Sequence, residues 1–113
     1  MTLSEQQQLF AKHTADLFDE IIASGYSFTY GEAMRSQQQA EIYAKQGKGI
    51  VDSLHCKRLA IDINIFNKNG DYLTDTKDYE QFGKFWECLD YHNVWGGNFS
   101  KRKDGNHFQR NEM

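Results

Sequence analysis

The sequence predicts an α+β domain in which helices flank a small antiparallel sheet. Segments with apolar residues at helical spacing and segments with strict alternation follow one another, in the order helix, strand, helix, strands, helix, strand. The pair Asn69-Gly70, typical of a two-residue hairpin turn, lies between two of the short apolar segments. Because the chain has 113 residues and no internal repeat, we expect residues 1–113 to form a single domain.

A helix is predicted at the N-terminus. Ser4 is a suitable N-cap, and Gln7 three residues later completes a capping box. Gly25 lies where this helix should end, because glycine readily adopts the backbone conformation of a C-cap. Aromatic residues then alternate with Ser and Thr over residues 26–30, which predicts a short strand. The apolar residues on one face of the helix are Phe10, Leu17, Phe18, Ile21 and Ile22.

The middle of the chain is predicted to hold a second helix and a longer strand. The helix begins at the N-cap Ser36, carries Ala40, Ile42 and Tyr43, and ends at Gly47. The strand covers residues 59–66, where apolar side chains fall on every second position. One face of the strand holds Leu59, Ile61, Ile63 and Ile65, and the other holds Ala60, Asp62, Asn64 and Phe66.

A third helix precedes a C-terminal segment of different composition. Residues 95–113 are rich in glycine and charge, which predicts loops with a short strand around His107-Phe108. We expect the aromatic residues of the helix, Trp86 included, to pack in the core and not to bind substrate. The apolar positions at helical spacing are Tyr79, Phe82, Phe85, Trp86 and Leu89.

Composition excludes several classes of protein. A net charge of −3 and a pI near 5.7 argue against a general nucleic-acid binder. The N-terminal ten residues lack the basic start and apolar core of a signal peptide, so we expect synthesis in a cytoplasm, wherever the protein later acts. No apolar stretch approaches membrane-spanning length, so no membrane insertion is expected. Cys56 and Cys88 are expected to stay reduced.

Asp62 is the most informative polar residue, because it interrupts a strongly apolar strand. A carboxylate in that position must be solvated, hydrogen-bonded, paired or bound to a metal. His55 precedes the strand, and His107 follows Asp104 by three residues. Two imidazoles and a carboxylate are a donor set of catalytic zinc sites, and a second carboxylate is a suitable general base. The same residues also fit a surface location.

In that alternative, the two histidines are exposed or partly buried and Asp62 pairs with Lys57 or Arg58. Two histidines and an aspartate at these spacings are common, and the helical zinc motif H-E-x-x-H is absent. The residues alone therefore leave both interpretations open.

Longer motifs favour the metal site. Residues 53–62, SLHCKRLAID, resemble the S-x-H-x-x-G-x-A-x-D signature of the zinc D-alanyl-D-alanine carboxypeptidases of the VanY type. Residues 95–99, WGGNF, and 104–108, DGNHF, resemble the C-terminal W-G-G-x-F and D-x-x-H-F block of that family. A looser match over residues 31–39 includes Arg35-Ser36. The matches occur in the family's order and look most similar to its phage branch, the L-alanyl-D-glutamate endopeptidase endolysins.

The resemblance implies roles for individual residues and a zinc-peptidase fold shared with hedgehog-like domains. His55, Asp62 and His107 match the three ligands of one zinc ion per chain, and Asp104 matches the acidic general base. The match for Arg35 is an arginine that holds the substrate carbonyl or its oxyanion. Ser53 matches a serine beside the first ligand that helps to bind substrate, and Arg58 departs from the family by replacing glycine.

The remaining candidates are expected to be structural. We expect solvent-exposed side chains for His13 and His92, a half-buried free thiol at Cys56 and a small core residue at Cys88. Trp95 fits either packing or the lining of the cleft. A basic rim is expected beside the site, where it would attract the carboxylates of peptidoglycan. Its members are Arg35, Lys57, Arg58, Lys101, Arg102 and Lys103.

The resemblance implies a zinc peptidase that hydrolyses an amide bond in peptidoglycan stem peptides, as a phage or prophage endolysin. Such an enzyme would wait in the host cytoplasm as a monomer, leave through a holin-dependent pore and act at the cell wall or in the periplasm. We expect one catalytic domain over residues 1–113, with no separate wall-binding module. Two alternatives stay open: a D-alanyl-D-alanine carboxypeptidase, and a non-catalytic relative that binds wall peptide or a protein partner.

Overall fold

The computed structural model describes residues 1–33, 39, 42, 44–47 and 54–112. Four strands form one antiparallel sheet in the order β1-β2-β4-β3, which confirms the predicted α+β class. No helix within the described residues has the length and apolar character needed to cross a membrane. The elements are α1 (Leu3–Ala23), β1 (Ser27–Tyr30), β2 (Ala60–Phe66), α2 (Glu80–Leu89), β3 (Asn93–Trp95) and β4 (His107–Arg110).

Helix α1 begins two residues earlier than the capping pattern predicted. Its N-cap is Thr2, whose hydroxyl accepts the backbone N–H of Glu5 at 3.1 Å, while the Glu5 carboxylate accepts the N–H of Thr2 at 2.9 Å. The prediction of Ser4 and Gln7 as the capping box is therefore wrong, because this pair satisfies both N–H groups first. The helix ends at the predicted place, before Gly25, which has φ +84°.

The core lies between one face of the sheet and the two helices. The Trp86 ring of α2 contacts Phe10 of α1 edge-on, at a centroid distance of 5.6 Å, and also Phe108 of β4, at 6.0 Å. Trp86 is thus a core residue, as predicted. Ile22 was expected in the core but is 61% exposed. The buried core residues are Phe10, Leu17, Ile21, Leu59, Ile61, Ile63, Ile65, Tyr79, Phe82, Trp86, Trp95 and Phe108.

Strand β2 is central and separates the core from a polar face. Its odd-numbered positions are buried against the helices, as predicted, whereas Asp62 and Asn64 face the opposite side and are half-buried. After β2 the chain turns at residues 67–70, where Gly70 has φ +83°. Tyr72 then forms only an isolated bridge with Phe66, so the predicted hairpin has a very short second arm.

The second predicted helix lies largely outside the described residues, and its expected N-cap Ser36 and its members Ala40 and Tyr43 are among those not described. Residues 39, 42, 44 and 45 are helical. Gly47 has φ +72°, and its N–H donates to the Ala44 carbonyl, in agreement with a helix that ends there.

The C-terminal part contains a strand that the sequence did not reveal. Strand β3 is only three residues long, and its residue Asn93 faces the core opposite Arg110 of β4. The Arg110 guanidinium is 1% exposed and pairs with Asp90, at 3.0 Å, where α2 ends. This buried ion pair joins the end of α2 to the last strand of the sheet.

Four predictions about the exposure of side chains are corrected or supported by the structure. His13 is buried, not exposed, because it packs on Trp86 and lies 3.4 Å from the Asn93 side chain. Cys88 is exposed, not in the core, because the buried positions of α2 are on its other face. Cys56 is a half-buried free thiol, as expected. His92 is partly exposed and lies beside Asp90.

Candidate metal centre

The sheet register brings Asp62 and His107 together. Asp62 of β2 is directly opposite His107 of β4 in the antiparallel pair, so both side chains point to the polar face. The Nδ1 atom of His107 lies 2.9 Å from Oδ1 of Asp62. This contact follows from backbone pairing alone, since residues that face each other across two strands have adjacent side chains.

His55 reaches the same carboxylate from a short 3₁₀-helix, Leu54–Lys57, that precedes β2. Its side chain is buried, and its Nε2 atom lies 3.4 Å from Oδ1 of Asp62. The two imidazole rings are 5.1 Å apart at nearly right angles. The three predicted ligands therefore converge on one side of Asp62.

A left-handed residue connects this 3₁₀-helix to the strand. Arg58 has φ +58°, and it is the position at which the family signature has glycine. Its N–H donates to the His55 carbonyl at 3.3 Å, and the next N–H, of Leu59, donates to Leu54 at 3.0 Å. A side chain is disfavoured in this conformation, which gives a physical reason for glycine in the signature.

The donor set fits a catalytic zinc ion. One ligand atom from each of His55, Asp62 and His107 lies within 4.8 Å of the other two. Among the described residues this is the one group of three potential donors that meets this criterion. Three protein ligands leave a fourth tetrahedral position for water or substrate, which distinguishes catalytic from structural zinc sites.

Asp62 and His107 stabilise each other's charge. Burial opposes ionisation of Asp62, but hydrogen bonds from His107 and His55 and their charges prevail and lower its pKa to about 2. Burial likewise opposes the charge of His107, yet its hydrogen bonds to Asp62 and Gln109 raise the pKa of His107 above its usual value. The carboxylate is thus ionised, as a metal ligand must be.

Two polar residues that the sequence did not single out lie behind the histidines. Glu32 has its Oε1 atom 3.9 Å from Nδ1 of His55, and its backbone carbonyl accepts the N–H of Asp62 at 2.7 Å. Gln109 has its Oε1 atom 2.7 Å from Nε2 of His107. Strand alternation already indicates that Gln109 shares a face with His107, whereas the position of Glu32 depends on the pairing of residues 31–32 with β2.

Asp104 lies on a tight turn that the W-G-G segment holds in place. The Asp104 carbonyl accepts the N–H of His107 at 3.1 Å, and the Asp104 N–H donates to the Gly96 carbonyl at 3.0 Å. A Cβ atom at Gly96 would collide with the Asp104 carbonyl, so only glycine allows this approach. Desolvation of the carboxylate and the negative charge of Asp62 raise the pKa of Asp104 above its usual value.

Trp95 packs in the interior and supports the same turn. It is 4% exposed, and its indole N–H donates to the Gly105 carbonyl at 2.7 Å. Cβ atoms at Gly83 or Gly97 would overlap its ring. The packing alternative for Trp95 is therefore correct, and the two C-terminal motifs are physically one unit.

The remaining predicted residues have different outcomes. Arg35 and Ser53 lie outside the described residues. Lys57 pairs with Glu112 at 2.8 Å, so it is not the partner of Asp62. Of the basic rim, Lys101, Arg102 and Lys103 are exposed near the Asp104 turn.

Cavity size alone does not locate the site. A groove of about 600 Å³, lined mainly by apolar side chains of α1, contains none of the three predicted ligands. A smaller and mostly polar cavity of about 250 Å³ includes Asp104 in its wall. The convergent donors, and not either of these cavities, therefore identify the candidate centre.

Comparison with known proteins agrees with this geometry. The model of the D-alanyl-D-alanine carboxypeptidase family, peptidase family M15, matches residues 46–110, which is more than half of the chain. These residues include all three convergent donors and Asp104. No curated protein matches the sequence significantly.

Solved structures share the fold. The crystal structure of the Serratia marcescens L-Ala D-Glu endopeptidase ChiX is similar with a TM-score of 0.65 and 22% identity, covering 86% of this chain and 79% of that one. A mutant of the vancomycin resistance D,D-pentapeptidase VanY from a VanB-type resistance cassette, in complex with Zn(II), has a TM-score of 0.59 and 18% identity. That match covers 89% of this chain and 70% of the other.

The family match and the convergent His-Asp-His donors identify a zinc-dependent enzyme that acts on peptidoglycan peptides. The chain belongs to the D-alanyl-D-alanine carboxypeptidase family, peptidase family M15.

Proposed function

We propose that the chain is an L-alanyl-D-glutamate endopeptidase in which His55, Asp62 and His107 hold one zinc ion. The observation that carries this proposal is the convergence of the three donor atoms within 4.8 Å on one face of the sheet. A zinc ion bound there supplies Lewis-acid activation of water and of the substrate carbonyl. The other steps fall to side chains of this chain.

Asp104 is the proposed general base. It accepts the proton of the attacking water and then delivers that proton to the nitrogen of the departing amine, so its net charge is restored after each turnover. Its raised pKa suits this role, because a proton acceptor that must later donate works best when its pKa approaches the working pH. Its backbone hydrogen bonds with Gly96 and His107 hold its main chain next to the last of the three donors.

Arg35 and Ser53 are proposed from the family resemblance alone. Arg35 would stabilise the negative charge that develops on the carbonyl oxygen, and Ser53 would hold the substrate beside His55. Both roles predict a loss of activity without a loss of zinc when the side chain is removed.

The cavity beside Asp104 supports an endopeptidase over a carboxypeptidase. Its wall includes Thr74, Thr76, Lys103 and Asn106, and its volume is about 250 Å³. Asp104, the proposed proton donor to the leaving amine, contributes to the wall of this cavity, so we propose that the cavity receives the leaving group. A leaving D-glutamate carries further residues of the stem peptide and needs such space, whereas D-alanine is small and ends at its carboxylate.

The family description favours D-alanyl-D-alanine carboxypeptidase activity as the second candidate. The two activities are separated by digesting purified sacculi and measuring the masses of all products. An endopeptidase releases peptides with a new N-terminal D-glutamate. Release of free D-alanine as the sole product would overturn the endopeptidase proposal and leave the zinc peptidase intact.

The ligand set is tested by the metal content of protein purified without added metal. We expect one zinc per chain, lost in His55→Ala and retained in the matched control His92→Ala, because His92 pairs with Asp90 far along the chain from the donors. Zinc retention by His55→Ala would contradict the assignment. The same variant tests the alternative of a non-catalytic binding protein. Such a protein should keep its affinity for sacculi in His55→Ala, so loss of both wall binding and hydrolysis in this variant would argue against that alternative.

Further proposals concern the biological role of the protein and its route to the cell wall. We propose that the protein is a monomeric phage or prophage endolysin, released through a holin-dependent pore to act on the wall, with residues 1–113 as the catalytic unit. The support is the resemblance of its motifs to the phage branch of the family. Expression in a Gram-negative host should cause lysis only when a holin is co-expressed. Lysis at the same rate without the holin would contradict dependence on the pore.

A further inference from the structure

We propose that Gln109 and Asn111 form a hydrogen-bonded relay that fixes the tautomer and orientation of His107, so that Gln109 is a positioning residue for the metal centre. The inference rests on the proposed function, since it takes His107 as a zinc ligand. It assigns a role to two side chains that the proposed mechanism leaves unused.

The two ring nitrogens of His107 have different partners. Nδ1 lies 2.9 Å from Oδ1 of Asp62, the same oxygen that is 3.4 Å from Nε2 of His55, so it is the nitrogen available to the shared centre. Nε2 faces Oε1 of Gln109 at 2.7 Å. A neutral imidazole that binds metal through Nδ1 must carry its proton on Nε2, where it donates to an acceptor. The Gln109 carbonyl oxygen is such an acceptor.

Asn111 determines which end of the Gln109 amide meets the ring. The Gln109 amide nitrogen donates to Oδ1 of Asn111 at 2.6 Å, which directs the amide oxygen toward His107. A reversed amide would present N–H groups to the ring and would favour the proton on Nδ1, the wrong nitrogen for binding. Asn111 therefore supports the correct tautomer through Gln109.

The backbone of Gln109 is held independently of its side chain. It pairs with Ala60 on one side and with Val94 on the other, and its carbonyl accepts the indole N–H of Trp86 at 2.9 Å. Substitutions of the side chain should leave strand β4 in place. The outer partners of metal-binding histidines contribute about 10–100-fold to metal affinity.

The decisive test compares two substitutions of Gln109 that change packing similarly but have opposite effects on the acceptor. Gln109→Leu removes the acceptor, and we expect zinc affinity to fall about 10–100-fold. Gln109→Glu keeps an acceptor and makes it stronger, and we expect zinc affinity equal to or above that of the parent. Affinity is measured by competition with a chromophoric chelator at one fixed pH, which needs no activity assay.

Controls separate positioning from folding. Gln81→Leu makes the same change on an exposed site of α2 and should leave zinc affinity unchanged. Asn111→Ala should weaken zinc binding less than Gln109→Leu, and Asn111→Asp should preserve it. The thermal midpoint of each metal-free variant reports any loss of stability. If Gln109→Leu does not fold, the Asn111 pair tests the relay.

The outcomes separate this inference from the proposed function. Equal affinity of the parent and Gln109→Leu, in a protein whose His107→Ala variant loses zinc, overturns the relay alone. Equal losses in Gln109→Leu and Gln109→Glu also overturn it, because they indicate packing and not an acceptor. Retention of zinc by His107→Ala overturns the ligand set and the relay together.

Discussion

The two histidines of the candidate centre are placed by different kinds of structure. His107 belongs to β4, which is paired on both sides, and its partner Asp62 is fixed by register. His55 belongs to a 3₁₀-helix, Leu54–Lys57, that depends on the left-handed residue Arg58. We call these the sheet-borne and the turn-borne ligand. The sheet-borne ligand is set by long-range pairing, whereas the turn-borne ligand is set by local backbone geometry.

This difference affects which of the two ligands is connected to the proposed general base. Asp104 lies on the turn that leads into β4, and its carbonyl is hydrogen-bonded to His107 itself. The main chain of the proposed base is therefore hydrogen-bonded to the main chain of the sheet-borne ligand. The turn-borne ligand would complete the proposed metal site from a separate segment, the 3₁₀-helix Leu54–Lys57.

The largest expected effect comes from removing the proposed base beside the sheet-borne ligand while leaving the metal ligands intact. Asp104→Asn keeps the shape of the side chain but removes the base, so we expect kcat to fall about 10²–10⁴-fold. Zinc content and thermal midpoint should match the parent, because Asp104 is not a ligand. Hydrolysis of a synthetic stem peptide measures the change. Activity within tenfold of the parent would exclude Asp104 as the base.

The buried ion pair behind β4 gives the next largest effect. Asp90→Ala removes the carboxylate beside the Arg110 guanidinium, which is 1% exposed, so we expect a loss of about 3 kcal/mol in the free energy of unfolding. Urea unfolding measures it. The control Glu80→Ala removes an exposed ion pair with Lys84 on α2 and should cost about 0.3–0.5 kcal/mol. Equal costs in the two variants would contradict a buried role for the pair.

The pH dependence of the metal-free protein tests the electrostatics of the sheet-borne ligand. The pKa of His107 is raised above 6.5, so the stabilisation from its charge is complete below pH 6.5 and is lost as the pH rises through the raised pKa. The pKa of Asp62 is lowered from 3.8 to about 2, so its contribution is complete above pH 3.8 and is lost on acidification toward pH 2. Stability from this pair should therefore be greatest between these limits.

Urea unfolding in excess chelator across this range measures the effect. In Asp62→Asn the rise and fall of the free energy of unfolding should become smaller, because His107 loses the carboxylate 2.9 Å from its Nδ1 atom, and His55 keeps only the more distant Glu32. An unchanged pH profile in that variant would contradict the pairing. Zinc should bind more tightly as the pH rises, since the metal competes with the proton on His107.

The comparison also explains what the sequence could and could not predict. The resemblance to the family motifs implied His55, Asp62 and His107 as a group, and alternation over residues 59–66 predicted which face Asp62 occupies. Strand β3 was not predicted, because three residues are too few to show an alternation of apolar and polar side chains.

Side-chain burial was harder to predict than the elements themselves. His13 is buried because α1 packs on α2 and β3, a contact that is absent from local sequence. Glu32 approaches His55 only because residues 31–32 extend the pairing of the first two strands. Gln109 could have been inferred from its spacing to His107, but its orientation depends on Asn111. These side-chain positions depend on long-range contacts between elements, which the periodicity of the local sequence does not reveal.

The smallest predicted effect concerns the turn-borne ligand. Arg58 has φ +58°, a conformation that costs a residue with a side chain about 1–2 kcal/mol relative to the right-handed one. Glycine avoids this cost but is more flexible in the unfolded chain, so we expect Arg58→Gly to stabilise the protein by about 0.5–1 kcal/mol. Arg58→Ala removes the guanidinium and keeps the Cβ atom, so it should not stabilise. Urea unfolding distinguishes the two variants, and equal stability of Gly and Ala at this position would show that backbone geometry does not limit the turn.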